Sequence, residues 1–262
     1  MRLLKCEANG RITLTPNLVG DKIPVYAILS HTWGQDAEEV TFRDMNDGKG
    51  KSKTGYDKIR FCAEQARRDG LQYIWVDTCC IDKSDNTELN ESINSMFRWY
   101  QDATRCYVYL SDVSTQKRKR STRQSDSQRD LSFRESRWFT RGWTLQELLA
   151  PRSVEFFTRD RQRLGDKISL GQEIHDVTGI AIEALQGAPL SQFDVKERFK
   201  WAEKRQTTRE EDWAYCLLGI FNVFLPLIYS EGRDNAVRRL REEVDKASGR
   251  GSKFFSHYDP SV

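Results

Sequence analysis

The chain has 262 residues, long enough for one large domain or a domain with a helical annex, and its 11% aromatic content supports a sizeable core. Charged residues make up 31% but are mixed in sign, and a net charge of only +3 argues against nucleic-acid binding, which concentrates Lys and Arg on one face. No run reaches the length of a membrane span and the N-terminus lacks a signal-peptide core, so a soluble, cytoplasmic protein is expected.

Residues 1–24 carry turn signals at Asn9-Gly10, Pro16-Asn17 and Gly20-Asp21, and predict a short hairpin or an extended arm. The apolar run 25–29 reads as a strand buried on both faces, delivering Ser30-His31-Thr32-Trp33-Gly34 at its end. Residues 48–55 form a Gly/Lys/Ser surface loop whose spacing matches no phosphate-binding loop. A helix is predicted over Tyr56–Arg68, with Ile59, Cys62, Ala63 and Ala66 on one face and Gly70 just past its end. A second buried strand at 73–76 ends at Asp77 and leads into the turn 78–83, which contains Cys79-Cys80. The next helix opens on a capping-box-like Asp85-x-x-Glu88 and carries Leu89, Ile93, Met96, Phe97 and Tyr100 at core spacing. A third strand at 106–110 ends in Ser111-Asp112.

Residues 114–132 are almost devoid of apolar side chains and predict a charged flexible loop; the run Lys117-Arg118-Lys119-Arg120 reads either as a solvated face or as a localisation or lipid-binding signal. The stretch 136–151 follows, with Trp138, Phe139 and Trp143 close together and then a short apolar helix carrying one carboxylate, Glu147. Trp143 and Glu147 are four apart and share a helix face, with Arg141 just before the first turn. That constellation suits either a packing helix whose Glu pairs with an Arg, or a site holding a cationic or sugar-like reacting centre. A fourth strand is predicted at 154–157, and beyond Thr158 the pattern becomes mostly helical: a short helix stopped near Gly179, a turn at 182–185, a helix capped by Asp194, one helix over 209–221 and a charged, surface-lying one over 235–246. The expected division is an α/β core at 1–158, a helical extension at 159–248, and a tail or linker at 249–262.

The cysteines at 6, 62, 79, 80, 106 and 216 form no CxxC pair, and His31, His175 and His257 lack ligand spacing, so no metal site is expected. Alternation of strands and helices over 25–158 argues a parallel sheet, whose ligands bind at the carboxyl ends of the strands. Those ends present Ser30, His31 and Trp33, then Asp77 and Asp82, then Ser111 and Asp112.

Three segments resemble the signature blocks of the fungal heterokaryon-incompatibility (HET) domain: Tyr-Ala-Ile-Leu-Ser-His-Thr-Trp-Gly at 26–34, Tyr-Ile-Trp-Val-Asp-Thr-Cys-Cys-Ile-Asp-Lys at 73–83, and Phe-Thr-Arg-Gly-Trp-Thr-Leu-Gln-Glu at 139–147. Residues 205–212 and 217–221 resemble the segment that follows it in incompatibility proteins built as NOD-like receptors. The resemblance implies a cell-death effector of non-self recognition, normally fused to a nucleotide-binding oligomerisation module. A more distant resemblance is to TIR domains: 26–30 and 106–112 are similar to TIR strands, and Ser136-Arg137-Trp138 with Trp143-x-Leu145-x-Glu147-Leu148 is similar to the segment bearing the catalytic Glu. In TIR domains these two pieces are merged, and Ala27 stands where an acidic residue is usual.

The implied fold is an α/β, TIR/flavodoxin-like parallel sheet flanked by helices, with a mostly helical C-terminal extension. The implied activity is NAD glycohydrolysis with NAD as substrate, no further cofactor, and a homo-oligomer as the active form. On that reading Glu147 is the catalytic carboxylate, with Asp77 as its rival; Trp143 stacks on a base, Arg141 meets the pyrophosphate, and Ser30, His31, Trp33 and Asp77 line the opposite wall. The alternative is a non-enzymatic adaptor that works by self-association.

Overall fold

The computed structural model describes residues 1–114 and 132–248; the basic run at 117–120 and the tail at 249–262 lie outside the described residues. Seven strands form one sheet: β1 (Leu4–Cys6), β2 (Ile12–Leu14), β3 (Ala27–His31), β4 (Tyr73–Trp75), β5 (Arg105–Leu110), β6 (Val154–Thr158) and β7 (Arg163–Asp166), in the spatial order β2-β1-β4-β3-β5-β6-β7. The four central strands are parallel, and the order reverses between β3 and β5, which makes the carboxyl ends of that pair the topological switch point. The predicted arm is an antiparallel hairpin that adds β1 to the β4 edge.

Some expectations need correction or completion. The chain after Thr158 is mostly helical, as expected, but first turns through Arg161, at positive φ, and returns as the short strand β7 antiparallel to β6. The Arg-Leu-Gly-Asp sequence of β7 has no apolar run; its outer side chains instead pair as Arg163 with Glu155 and Asp166. The helix expected over 209–221 is two short helices, Asp212–Tyr215 and Leu218–Phe221. The first parallel strand begins at Ala27, not at residue 25, and takes Ser30 and His31 into the sheet.

That last shift matters, because side chains alternate across a strand. His31 aligns with Tyr109 and then Phe157, on the face covered by Phe61 of the helix Tyr56–Arg68, with ring centroids 5.1 Å from each. Ser30 aligns with Val108 and then Phe156, on the face where Trp138 packs edge-on to Phe156 at 5.6 Å. The second face is covered by the helices Asn86–Asp102 and Thr144–Leu149. The C-terminal helices pack on this layer. Gly219 lies so close to the helix Asn86–Asp102 that a Cβ there would sit 2.0 Å from Phe97 Cβ. The helix Arg233–Ala247 buries Ala236, Leu240 and Val244, one per turn, and so is a packed amphipathic helix more than a surface one.

Candidate active site

On the Ser30 face, the 3-10 turn Arg137–Thr140 presents Trp138 and the following helix presents Glu147. Ser30 Oγ accepts from Trp138 Nε1 at 2.9 Å and donates to Glu147 Oε2 at 2.5 Å. Trp138 cannot swing away, since it is fully buried against Phe139 and Phe156. Ser30 is 0% exposed and Glu147 7%. Burial pushes the Glu147 carboxyl up to about 8, and the charge of Asp77 adds to the rise, against hydrogen bonds from Ser30 and Tyr100 and the guanidinium of Arg205. At neutral pH Glu147 therefore holds a proton.

The His31 face is ionic. Lys58, on the buried side of its helix, forms a short ion pair with Glu39 and donates to the Thr32 carbonyl at 3.3 Å. His31 Nε2 lies 3.9 Å from both Glu39 Oε2 and Asp77 Oδ1, and neither ring nitrogen has a hydrogen-bond partner among the described residues. Burial, then Lys58 and Lys83, hold the imidazole well below its usual range, so it is neutral. Asp77 is partly open, its side chain 21% exposed, and accepts from Trp33 Nε1 at 2.8 Å. Burial raises its carboxyl, with Lys83 and the Trp33 hydrogen bond opposing.

The predicted residues thus fall into three groups. Ser30 and Glu147 are in direct contact, and His31, Trp33 and Asp77 cluster across β3 from them, near enough that Asp77 raises Glu147. Arg141 and Trp143 face the C-terminal extension instead: Arg141 Nη2 donates to Thr208 Oγ1 at 3.0 Å, and the Trp143 indole hydrogen-bonds Asp212. The arginine whose charge reaches Glu147 is Arg205, buried and anchored on Thr144 Oγ1 at 2.8 Å and the Arg141 carbonyl at 2.9 Å. Glu39, Lys58 and Arg205 escaped sequence reasoning. Lys58 alone left a signal, as a lysine beside Ile59 at the start of an otherwise apolar stripe.

The site is joined by a clasp from the turn at 136–138. Ser136 Oγ and the Arg137 backbone N–H both donate to Asp112, and the Arg137 side chain donates to Thr32 Oγ1 at 3.2 Å and the Trp33 carbonyl at 3.0 Å. Among the described residues, no cluster of His, Cys, Asp and Glu is arranged to hold a metal ion, and no helix is long and apolar enough to cross a membrane.

Residues 26–147, which contain every group of this site except Arg205, Thr208 and Asp212, match the family described as "Heterokaryon incompatibility protein (HET)". The chain is also 60% identical over 249 residues to "Vegetative incompatibility protein HET-E-1" of Podospora anserina, an alignment covering 95% of this chain and 18% of that protein. The chain therefore spans about a fifth of the length of the curated relative it matches. No solved structure matches it.

Proposed function

The chain carries a heterokaryon incompatibility (HET) domain, and from that premise we propose that it is a cell-death effector module of fungal non-self recognition that acts by hydrolysing NAD. The relative's description as a vegetative incompatibility protein supports the biological half of this reading. One observation carries the chemical half: Ser30 and Glu147, 117 residues apart, meet beside the carboxyl ends of parallel strands at a topological switch point.

In NAD the nicotinamide ring already bears a positive charge, so it departs as a neutral molecule. The N-glycosidic bond breaks with its electron pair moving to the nicotinamide nitrogen, and no general acid is required. Water then adds to the ribose carbon and gives up a proton, leaving nicotinamide and ADP-ribose. One ionised carboxylate suffices to stabilise the oxocarbenium-like centre. Glu147 fills that role once it has lost its proton, and a bound cationic ring favours the loss. Asp77 is the competing carboxylate, but its Oδ2 is committed to Trp33. The active form is an oligomer, and the relative's greater length is consistent with fusion to a nucleotide-binding oligomerisation module.

A second reading, a non-enzymatic self-associating adaptor, draws support from the near-complete burial of Ser30 and Glu147. The deciding experiment is NAD consumption by purified protein clustered on a surface, beside Glu147→Ala of matched folding. Nicotinamide released by the first alone supports hydrolysis. No loss of NAD in either, with cell death persisting on expression, supports the adaptor.

A further inference from the structure

At the switch point the chain leaves an aromatic ring partly in solvent, with one cation over a ring face and a second at its backbone carbonyl. Trp33 is 43% exposed, directly after β3, and its orientation is set because the indole N–H is held by Asp77. Lys83 Nζ stands 3.7 Å above the ring centroid, and Arg137, itself exposed, reaches the Trp33 carbonyl from the β5 side. Neither cation forms an ion pair with a described residue. The carboxylates nearby are already supplied with donors: Asp77 by Trp33, Asp112 by Ser136 and Arg137 N–H, Asp212 by Trp143 and Tyr229. Two further hydroxyls, Thr32 Oγ1 and Ser111 Oγ, lie 3.3 Å apart at the ends of β3 and β5.

We propose that Arg137 and Lys83 bind the pyrophosphate of a nucleotide whose base lies on the face of the Trp33 indole that Lys83 does not cover. A planar base takes a ring face, and a pyrophosphate takes one guanidinium and one ammonium without any new charge having to be buried. Arg141 is excluded from this task by its tie to Thr208. The inference deepens the NAD reading by naming the anchoring part of the ligand, and it does not require turnover.

The test is titration of ADP-ribose and of ADP into the intact chain carrying Glu147→Gln, followed by calorimetry. Lys83→Gln and Arg137→Lys should each weaken binding about tenfold, and Trp33→Ala by a similar factor. Lys83→Glu, which reverses the charge, should weaken it more, with the unfolding midpoint of every variant measured alongside so that lost binding is separated from lost fold. Raising the ionic strength should weaken binding to the parent more than binding to Lys83→Gln, which has one cation fewer. Unchanged affinity in Lys83→Glu and Arg137→Lys, or no binding of either nucleotide to the parent, overturns the inference. Binding that depends on both cations in a protein that never consumes NAD sustains it while the hydrolase reading fails. NAD hydrolysis with an unaltered KM in both variants does the reverse.

Discussion

Ser30 has one proton to give, and its neighbours decide where it goes. The hydroxyl oxygen is taken by the Trp138 indole N–H, so its own proton points at Glu147. Ser30→Ala therefore strands two buried groups at once and should destabilise the protein by about 2 kcal/mol in urea unfolding, with loss of activity. Glu147 makes a pH-dependent prediction. Its folded-state value of about 8 lies above the ordinary 4.5, so the folded protein keeps a proton that the unfolded chain releases. The stability tied to that proton is full below pH 4.5, falls as pH rises towards 8, and is absent above it. Glu147→Gln, which keeps the shape and lacks the charge, should match the parent near pH 4 and exceed it at pH 9 by on the order of 3 kcal/mol. Equal pH dependence of the two unfolding curves would remove Glu147 as the source. In the active protein, NAD turnover should rise with pH towards 8, as the carboxyl ionises.

Elements built on local rules were legible in the sequence. The helix Tyr56–Arg68 has the bounds its apolar stripe and Gly70 predict, and Asp85 caps the next helix by accepting from Thr87 and Glu88 N–H. Half of the predicted capping box is absent, since the Glu88 side chain turns to Arg2 and the Asp82 N–H. The failures share a cause. β7 exists because β6 offers an edge to pair with, and the break between Asp212–Tyr215 and Leu218–Phe221 brings Gly219 onto Phe97. Neither is encoded by periodicity within its own segment. Gly219→Ala should force the C-terminal layer off the helix Asn86–Asp102 and cost about 2 kcal/mol or more, seen as a lower midpoint and faster proteolysis. Lys58→Met should be costlier, about 3–5 kcal/mol, because it leaves Glu39 charged and buried without its partner; the double change with Glu39→Gln should recover part of the loss.

At the scale of the molecule, the C-terminal extension is part of the site's wall. Gln206 pairs with Thr140 and Gly142 through backbone hydrogen bonds of 2.6 and 2.9 Å, and a Cβ on Gly142 would meet Thr207 at 2.5 Å. The carboxylate it supports is closed in, so opening by contact with further copies is the expected route to activity. Specific NAD hydrolysis should rise with protein concentration and with artificial clustering, and a flat profile would count against assembly as the trigger. The sequence by itself determined the α/β class, the four parallel strands, the main helices and the carboxyl edge where polar residues gather, because strand runs, helical stripes and caps act over a few residues. It also singled out Ser30, His31, Asp77 and Glu147. Tertiary structure alone decided how they divide. The inclusion of Ser30 and His31 in β3 sends neighbouring side chains to opposite faces, so one joins Trp138 and Glu147 while the other joins Glu39 and Asp77. Burial then set the protonation of Glu147 and His31, a property of the surrounding layers that no residue carries in its own sequence position.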